Sequence, residues 1–450
     1  MHDPNPESRI PNPGEDPIAY LFGLEFHGHK LGLENIRTLV AALGHPERAF
    51  QALHIAGTNG KGSVAAMCAA ALAAAGHRTG CYTSPHIVSI EERFAIDGEP
   101  VSRRELEAAV EHIRRVAVRL TTDGTLRALP TFFEVATAAA FLLFQWRCVD
   151  VAVLEVGLGG RLDATNVVSP CVGTITTIDV DHQRHLGDTL AAIAREKAGI
   201  VKPGMIIVSG ERKPDAAGEV EAACRERGAR LVCAFEGTEV SVGAHLSGRD
   251  TGRATIALAT PVRTYPPVTL SLRGRHQVDN AIVAVRALEA LDACGTHVPE
   301  SAIREGLACA RWAGRLEVVD LGQGRSVLLD AAHNPAGAHA LGEYLAECYP
   351  NGIVLVFGAV RDKDHRGMLC ELLPHATHVV LSAPPTHRAA PTHELVAIAR
   401  ELRPGLPLIE SPSPDEALAH ALALGPSVCV AGSIYLLGAV TPRLAPLRLE

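Results

Sequence analysis

Aromatic side chains are scarce in this sequence: Phe, Tyr and Trp together make up 4% of its 450 residues. Hydrophobic residues nevertheless account for 47% and charged residues for 20%, which is typical of a soluble globular protein. The core must therefore be built largely from Ala, Val, Leu and Ile. A chain of this length is too long for one ordinary core and is expected to form two or three domains.

The sequence also lacks an excess of positive charge. It contains 42 Lys and Arg residues against 50 Asp and Glu residues, a net charge of −8 with histidine neutral. No basic field is available to attract a nucleic-acid backbone, so an extended polyanion is not expected as a partner. A small phosphate-bearing ligand is compatible with this charge, because a few local donors can hold it.

Closely spaced cysteine pairs and long apolar runs are missing as well. The 11 cysteines include no C-x-x-C pair and many lie in apolar runs, which predicts reduced core residues and not a disulfide framework or a zinc site. The most apolar stretches are broken before about 18 residues, too short to span a membrane. The first seventeen residues are polar and Pro-rich, without the pattern of a signal peptide. We therefore expect a cytoplasmic protein with no membrane partner.

From Gln51 onward, short β-branched runs alternate with Ala-rich helical stretches. Continuous apolar strands separated by helices indicate a parallel, doubly wound α/β sheet. A mixed α+β sheet is the alternative. The predicted strands are ALHIAG, HRTGCYTS, VDVAVLEVG and PCVGTITTID, and the predicted helices are VAAMCAAALAAAG and ATAAAFLLFQW.

The pattern changes in the second half of the chain. Between about residues 230 and 272, TEVSVGAH and ATIALATPV are typical of antiparallel hairpin strands. The predicted helix HQVDNAIVAVRALEALDACG follows and ends at Gly295. A second α/β series contains the predicted strands SVLLDAAHNP, GIVLVFGAV, THVVLSAPP and PSVCVAGS. We place the domain boundary near residues 305–312, before RWAGRLE.

A glycine-rich turn joins the first predicted strand to the first predicted helix, in HIAGTNGKGSVAAM; its glycines are Gly57, Gly60 and Gly62. Glycines let backbone N–H groups turn toward an anion, the helix N-terminus adds its dipole, and Lys61 can reach the outer phosphates. Ser63, or Thr58 beside it, can bond phosphate or approach Mg²⁺. The strict P-loop pattern has Ser or Thr after the lysine, where this chain has Gly62. A plain glycine-rich turn is the alternative, but the strand–loop–helix context favours a nucleotide site.

A carboxylate follows a strongly apolar predicted strand, in VAVLEVGLGGRLDATN. Glu155 is expected at the C-terminal end of this strand, the edge where ligands bind in open α/β sheets. A carboxylate there suits Mg²⁺, and Gly157, Gly159 and Gly160 keep side chains away from whatever it contacts. A solvated acid at the end of a strand is the alternative.

The stretch TTIDVDHQRHLGDTLAAIAREKAGIVKPG again runs from a strand into a polar turn. Asp181 and His182 follow the strand, and Lys197 lies farther along. A lone histidine is more often an ordinary hydrogen-bonded residue than a ligand, and Lys197 can simply complement a helix C-terminus. The coincidence of these residues with the phosphate loop favours a shared site.

A series of segments carries a resemblance to a known family: KLGLENI, HIAGTNGKGSVAA, YTSPHIVSIEERFAIDG, PTFFEVATAAAF, LEVGLGGRLDATNV, DHQRHLGDTLAAIAREKAGI, GRHQVDNAIVA, RWAGRLEVV, LLDAAHNPAGA, FGAVRDKD and AGSIYLLGAV. In this order and spacing they resemble bacterial folylpolyglutamate synthase/dihydrofolate synthase, a branch of the Mur ligase superfamily. The resemblance spans roughly residues 18–440. Gly62, unexpected in a general P-loop, fits this family's GTNGKGS pattern.

The resemblance implies a P-loop ATPase domain over residues 1–308 and a smaller Rossmann-like domain over residues 309–450, with catalysis in the cleft between them. It implies ATP and two Mg²⁺ ions as cofactors. The first Mg²⁺ is assigned to Ser84 and Glu155, and the second to His182 with Glu155. The residues assigned to ATP are Thr58, Asn59, Gly60, Lys61, Gly62, Ser63, Asn280, Arg315 and Asp330.

Lys197 matches the lysine that this family carries as an N-carboxy (carbamylated) derivative. The implied catalytic set is therefore Lys61, Glu155, His182 and Lys197. A carbamate replaces a cation by a carboxylate, which suits a position beside Mg²⁺ and phosphate. His333 and Ser433 are candidates for the glutamate end. The implied pteroate pocket consists of Leu31, Gly32, Phe133, Glu134, Arg161, Leu162 and Asp163.

The implied reaction is the ATP-dependent addition of L-glutamate to dihydropteroate or to tetrahydrofolate through an acyl phosphate. We favour both activities, although the sequence does not decide between them, and we expect a monomer that acts on small molecules. The segment DAAHN has Ala331 where the family often has Gly, a small change that casts little doubt on Asp330.

Three rival hypotheses are weaker. A cell-wall Mur ligase needs a domain for a UDP group before the phosphate loop, and only about 55 residues precede Gly57. A P-loop switch or regulatory ATPase that makes no bond leaves His182, Lys197 and the second domain without a role. An NAD-binding module needs a G-x-G-x-x-G that opens a helix after the first strands, and this chain has none.

Overall fold

The computed structural model describes residues 16–24, 32–243 and 250–447. Within these ranges the first part of the chain forms one large sheet with the strand order β4-β3-β2-β5-β1-β6-β7-β8. The strands are β1 (Gln51–Ala56), β2 (Thr79–Tyr82), β3 (Phe94–Ile96), β4 (Glu99–Pro100), β5 (Val151–Glu155), β6 (Val172–Ile175), β7 (Ile206–Ser209) and β8 (Arg230–Cys233). All neighbours pair in parallel except β3 and β4, which form an antiparallel edge. The predicted parallel α/β sheet is confirmed.

Helices cover both faces of the large sheet. Ala152 and Leu154 of β5 point into one apolar cluster, whereas Val151 and Val153 point into the opposite one. This alternation of side chains along a strand is what a sheet buried on both faces requires. The helices are α1 (Pro17–Gly23), α2 (Glu34–Ala42), α3 (Lys61–Ala74), α4 (Arg103–Thr122), α5 (Phe132–Trp146), α6 (Gln183–Leu186), α7 (Leu190–Lys197), α8 (Pro214–Arg227), α9 (His276–Ala293) and α10 (Glu300–Cys309). Short 3₁₀ turns occupy Pro46–Arg48, Ile90–Arg93, Ala164–Val167 and Ala198–Ile200.

The predicted hairpin strands form a small antiparallel sheet of the order β11-β10-β9. Its strands are β9 (Glu239–Val242), β10 (Arg253–Ala259) and β11 (Thr264–Arg273). The end of the TEVSVGAH segment lies outside the described residues. Ile256 and Leu270 of this sheet pack into the same apolar cluster as α3 and α9, so it belongs to the first structural unit.

The rest of the chain forms a second sheet with the order β12-β13-β17-β14-β15-β16, parallel except for β12. Its strands are β12 (Glu317–Gly322), β13 (Arg325–Leu329), β14 (Ile353–Phe357), β15 (Ala376–Ser382), β16 (Leu408–Ser411) and β17 (Ser427–Ala431). The helices are α11 (Pro335–Cys348), α12 (His365–Leu372), α13 (Thr392–Leu402), α14 (Pro414–Leu424) and α15 (Ile434–Leu444), with 3₁₀ turns at Leu373–His375 and Ala445–Leu447. Apolar clusters on both of its faces make it a second doubly wound unit.

The two units are joined by residues 310–316, which we call the linker. Helix α10 precedes the linker and packs on α3, and therefore belongs to the first unit. Strand β12 follows it and opens the second unit. A division of the chain at 308/309 would pass through the last residues of α10, whereas the linker overlaps the expected boundary at 305–312.

The cysteines only partly follow the expectation from the sequence. All 11 are free, but only Cys68, Cys224 and Cys429 are buried. Cys148, Cys294 and Cys309 are exposed because they stand at or just after the ends of α5, α9 and α10, where a side chain no longer faces a neighbouring element. Apolar neighbours in the sequence do not reveal this position. In the part of the chain that the structure describes, no helix is long and apolar enough to cross a membrane.

The close packing of α10 on α3 depends on Gly306. A Cβ at this position would lie 2.5 Å from the backbone nitrogen of Ala71. Because this atom belongs to the backbone of α3, a side chain at position 306 would push the two helices apart. We expect Gly306→Ala to lower the free energy of unfolding by about 1–3 kcal/mol. The matched control is Gly218→Ala on α8, where a Cβ meets nothing within 4 Å. That variant should gain up to about 1 kcal/mol, because alanine favours a helix more than glycine. Urea denaturation followed by circular dichroism measures both, and a Gly306→Ala variant as stable as the parent would contradict the packing.

Candidate active site

The phosphate loop runs from β1 into α3 and passes unusually close to its neighbours. Gly60 caps α3 at a φ of +85°, and Gly57 has a φ of +150°. A Cβ on Gly57 would lie 1.8 Å from Thr176 Oγ1, and one on Gly60 would lie 2.5 Å from Asn280 Oδ1. Glycine is therefore required at both positions. The free N–H groups at the start of α3 and the Lys61 ammonium form an anion cradle of the predicted kind.

Thr58 and Asn59 tie this loop to the turn after β6. The Thr58 hydroxyl accepts from the backbone N–H of Asp179 at 3.0 Å and donates to its carbonyl oxygen at 3.1 Å. The Asn59 amide donates to the Asp179 carboxylate at 3.2 Å. Asn59 also accepts a hydrogen bond of 3.2 Å from Asn334 of the second unit. Both residues therefore fix the loop to the turn after β6, and Asn59 also connects it to the second unit.

A polar network on α9 joins two of the residues assigned to ATP. Asn280 Nδ2 donates to Gln277 Oε1 at 2.9 Å, and Gln277 Nε2 donates to Ser63 Oγ at 3.2 Å. All three side chains are buried. The network holds Asn280 beside Gly60 and Ser63 in the first turn of α3.

Glu155 lies at the C-terminal end of β5, as predicted, and is only 4% exposed. Its Oε2 accepts the backbone N–H of Ser84 at 3.1 Å. Burial raises the pKa of Glu155, and the nearby Lys61 charge opposes this shift. Asp163 is fixed beside it by backbone N–H groups of Gly157 and Leu158, each 3.0 Å from its Oδ2. The structure thus brings Ser84, Glu155 and Asp163 together on one side of the phosphate loop.

Lys197, the last residue of α7, lies directly behind the phosphate loop. Its Nζ donates to the carbonyl oxygen of Gly57 at 2.7 Å, and the residue is 5% exposed. Burial, together with the charge of Lys61, lowers the pKa of Lys197 to about 7. The amine is therefore largely uncharged at a pH where an ordinary lysine is a cation.

The charge of Lys61 is felt by each of the other residues of the implied catalytic set. It opposes the raised pKa of Glu155 and contributes to the lowered pKa of both His182 and Lys197. Burial in turn lowers the pKa of Lys61 itself. The four residues are spread over 137 positions of the sequence (61 to 197), yet the charge of Lys61 acts on the other three.

Asp181 links this group to the second unit. Its Oδ1 lies 2.6 Å from Lys363 Nζ, and its Oδ2 lies 3.5 Å from His333 Nε2. The adjacent His182 lies 3.9 Å from Asp181. Burial alone would raise the pKa of Asp181, but the hydrogen bond from His333 and the charge of Lys363 hold it well below its usual range. The Asp181–Lys363 pair is an ion pair across the cleft with both side chains more than 90% buried.

Arg315 and Asp330 meet at the end of the linker. The Asp330 carboxylate accepts the backbone N–H groups of Leu316 and Ala332, each at 2.9 Å. Burial raises the pKa of Asp330, and the Arg315 charge opposes this. The same guanidinium acts on Glu155 and on Lys61, so it faces the phosphate loop from the far side of the cleft.

The residues assigned to pteroate do not all lie in one place in the structure. Gly32 and Glu134 line one cavity of about 450 Å³, together with Glu34, Asn35, Thr38, Thr125, Leu126 and Arg127. The Glu134 carboxylate also accepts the Thr131 N–H at 2.8 Å and so caps α5. Phe133 lies instead beside Gly157, with its Cε1 3.5 Å from where a Cβ would stand. Leu31 lies outside the described residues.

The Arg161-Leu162-Asp163 turn is divided in the structure. Arg161 is exposed and pairs with Glu196 at 2.9 Å, Leu162 is half-buried, and Asp163 points into the protein.

At the other end of the site, Ser433 is buried and its Oγ caps α15 by accepting the Tyr435 N–H at 3.2 Å. The Gly432 N–H donates to the Ala332 carbonyl oxygen at 3.1 Å, which places Ser433 and His333 on adjacent loops.

Among residues 16–24, 32–243 and 250–447, no three His, Cys, Asp or Glu side chains lie close enough together to hold a metal ion by themselves. The donors that are present at the phosphate loop, a buried carboxylate with a hydroxyl beside it, are the oxygen ligands that Mg²⁺ prefers.

Comparison with known proteins places this chain in a family. The Mur ligase, glutamate ligase domain family matches residues 314–434. The dihydrofolate synthase/folylpolyglutamate synthase of Bacillus subtilis (strain 168) is 37% identical over 369 residues, which cover 81% of this chain and 84% of that protein. The chain belongs to the dihydrofolate synthase/folylpolyglutamate synthase family. As a member of it, the protein is an ATP-dependent ligase.

Solved structures of the family have the same fold. Folylpolyglutamate synthase of Mycobacterium tuberculosis, complexed with ADP and AMPPCP, has a TM-score of 0.87 at 34% identity and covers 95% of this chain and 99% of its own. A bifunctional folylpolyglutamate synthase/dihydrofolate synthase with Mn, AMPPNP and L-glutamate bound has a TM-score of 0.82 at 29% identity and covers 97% and 100%.

The sequence alone predicts no role for Lys363, Asn334 or Gln277, which lie at the candidate site in the structure. A signal for Lys363 was available. The segment FGAVRDKD follows a buried parallel strand, and the C-terminal ends of such strands line the ligand edge. The sequence shows Asp181 beside His182, but it does not show the partner of Asp181 across the cleft, because that depends on how the two units meet.

Lys61→Ala and Glu155→Ala should each abolish turnover while the protein stays folded. The charge of Lys61 acts on the other residues of the implied catalytic set, and Glu155 is a buried carboxylate whose charge acts on Lys61 in turn. Phosphate release measures turnover, and far-UV circular dichroism with thermal melting checks the fold. Glu239→Ala, on the exposed strand β9, is the control and should behave as the parent. Parent-like ligation by either pure variant would refute the role assigned to that residue.

Proposed function

We propose that this protein adds L-glutamate both to dihydropteroate and to tetrahydrofolate, through an acyl phosphate formed with ATP. The observation that carries the proposal is the hydrogen bond of 2.7 Å from the buried Lys197 Nζ to the Gly57 carbonyl oxygen of the phosphate loop, together with the action of the Lys61 charge on Glu155 and His182. The bound molecules of the related structures, nucleotide, Mn and L-glutamate, support the same choice of reactants.

A free carboxylate does not react with an amine, because hydroxide is a poor leaving group and the anion repels nucleophiles. In the proposed reaction the acceptor carboxylate attacks the γ-phosphate of ATP, so that an acyl–O–P bond forms and ADP leaves. The glutamate amine then attacks the acyl carbon. The tetrahedral intermediate expels inorganic phosphate and loses a proton from nitrogen, which leaves an amide.

The first step brings two anions together and therefore needs concentrated positive charge. Lys61 and Arg315 supply it from opposite sides of the cleft. Two Mg²⁺ ions would add Lewis-acid charge neutralisation when bound. We assign Ser84 and Glu155 to one ion and His182 with Glu155 to the other, with ATP phosphate oxygens as the remaining ligands. We assign ATP itself to residues 58–63 with Asn280, Arg315 and Asp330.

The amino-acid substrate is assigned to the second unit. His333 and Ser433 lie on adjacent loops there, and Lys363 provides a cation that reaches into the cleft. A carboxylate of glutamate can replace Asp181 as the partner of Lys363 or join it. The pteroate or folate is assigned to the first unit, where Phe133 and Asp163 flank Gly157 and where Gly32 and Glu134 line the nearby cavity.

Lys197 is proposed to act as a carbamate. Its neutral amine attacks carbon dioxide, a C–N bond forms, and one proton leaves to solvent. A pKa near 7 leaves about half of the amine neutral at pH 7, far more than for an ordinary lysine. The product is a carboxylate beside Lys61, so repulsion between two buried cations becomes attraction.

Phosphate release tests the reaction directly. We expect release with dihydropteroate plus glutamate and with tetrahydrofolate plus glutamate, and only background release when glutamate or the pterin compound is omitted. Mass spectrometry of the products should show one added glutamyl residue on each acceptor. Activity with only one acceptor would restrict the function to that activity. ATP turnover that is indifferent to both acceptors and to glutamate would instead support a non-ligating ATPase.

The carbamate is tested by trapping it. Carbon-13 NMR of protein equilibrated with ¹³C-bicarbonate should show a carbamate signal that is lost in Lys197→Ala. Lys202→Ala is a matched control, because burial also lowers the pKa of Lys202, to about 8, yet this lysine donates to Asn166 at 2.7 Å away from the loop. Lys197→Ala should lose about 100-fold or more in turnover, and acetate should restore part of it. A carbamate signal that persists in Lys197→Ala would rule out this residue.

A further inference from the structure

Trp312 stands in the middle of the linker and lies against the phosphate loop. A Cβ built on Gly62 would be 2.4 Å from Trp312 Cζ2, 2.5 Å from Cε2 and 2.7 Å from Nε1. The indole ring therefore occupies the space that a side chain at position 62 would need. Trp312 also packs on the apolar cluster that contains residues of α3 and α9.

The linker is held firmly on both sides of this ring. Before it, the Ser271 hydroxyl donates to the Ala310 carbonyl oxygen at 2.6 Å. After it, Gly314 is enclosed, since a Cβ there would be 2.8 Å from Ile87 of the first unit and 2.9 Å from Leu437 of the second. The Ala331 N–H also donates to the Gly314 carbonyl oxygen at 2.8 Å. Trp312 therefore has a fixed position between the two units, and its side chain does not rotate freely.

Arg315 follows Trp312 by three residues, acts on the Asp330 carboxylate by its charge, and has one hydrogen-bond partner among the described residues. Its Nη1 donates to the neighbouring Gly314 carbonyl oxygen at 3.3 Å, and its charge acts on Glu155 and Lys61 across the cleft. The position of its guanidinium is therefore set mainly by where the linker runs. The contact that ties the linker to the phosphate loop is the one between Trp312 and Gly62.

We propose that Trp312 is a positioning residue: its indole ring, seated on Gly62, fixes the linker so that Arg315 reaches the phosphates held by the loop. The inference rests on the proposed role of Arg315 in phosphate transfer. It also gives a physical reason for Gly62, since the Ser or Thr of a strict P-loop would collide with the ring. The indole N–H has no hydrogen-bond partner among the described residues, so the ring and not its polar group makes the contact.

A double-mutant cycle with Arg315 tests the positioning role. Trp312→Ala should lower kcat/KM for ATP about ten- to a hundredfold, because the arginine is no longer held in place. Trp312→Phe, which keeps an aromatic ring but replaces the larger indole and its unpartnered N–H, should retain more activity than Trp312→Ala. The Trp312→Ala/Arg315→Ala double variant should be no worse than Arg315→Ala alone. Trp146→Ala, at the exposed second tryptophan, is the control and should be unaffected.

The outcomes separate the explanations. Equal defects in Trp312→Phe and Trp312→Ala would mean that an aromatic ring at position 312 does not hold the linker and would overturn the ring-packing proposal. Additive losses in the double variant would mean that Trp312 acts independently of Arg315 and would overturn the positioning role. A fully active Arg315→Ala would instead refute the proposed function of that arginine.

A second double-mutant cycle tests the packing of Trp312 on Gly62 by stability instead of activity. Its result is therefore informative even if the proposed role of Arg315 is wrong. Gly62→Ala should lower the melting temperature of the nucleotide-free protein in the parent, because the added methyl group meets the ring. It should lower the melting temperature much less in the Trp312→Ala background, where the space is open. An equal loss in both backgrounds would show that the indole ring is not what requires glycine at position 62.

Discussion

The backbone of the phosphate loop can run where it does only because residues 57, 60 and 62 carry no side chain. Each of these glycines is contacted from a different element: Thr176 after β6, Asn280 on α9 and Trp312 on the linker. The loop is therefore the meeting point of three parts of the fold that are distant in sequence. Because protein interiors are closely packed, a methyl group at any of the three positions would displace one of those parts.

This crowding also concentrates charge out of water. Lys61, Lys197, Glu155, Asp163 and Asp330 all have pKa values shifted by burial toward the neutral form. Groups shifted in this way cost stability, and folded proteins retain them chiefly at functional sites. The two lysines are the clearest case, because burial lowers the pKa of both and the charge of Lys61 contributes to the lowered pKa of Lys197. A triphosphate with its metal ions, and a carbamate on Lys197, would both relieve this unfavourable arrangement.

Much of the site could be predicted from the sequence because parallel α/β sheets obey a simple geometric rule. Residues that follow β1, β5 and β6 must meet at one edge, so Lys61, Glu155 and Asp181 could be grouped without coordinates. What could not be predicted depends on contacts between units. Lys363 pairs with Asp181 only because of how the second sheet is oriented, and Trp312 meets Gly62 only because of the path of the linker.

Local sequence patterns show only part of what a residue does. Glu134, which is predicted to belong to the pteroate pocket, also caps α5 through its carboxylate, a role that the Thr-x-x-Glu pattern of TFFE predicts. The exposed cysteines show a similar limit, since the apolar character of a helix does not tell which residue stands at its end.

The contacts between the two units are of two kinds, and their distribution bears on how substrates enter. Around the cleft they are polar: Asn334 with Asn59, and Lys363 and His333 with Asp181. Beside the linker they are apolar and tight, with Ile87 enclosed by Gly314, Leu437 and Gly438. Polar contacts exchange with water or with a charged substrate at little net cost, whereas separating a close-packed apolar contact costs free energy. Opening is therefore easiest at the cleft, with the linker as the pivot. The proposed acyl phosphate would have to be shielded from water, and with this arrangement the polar groups that line the cleft would close over the substrates.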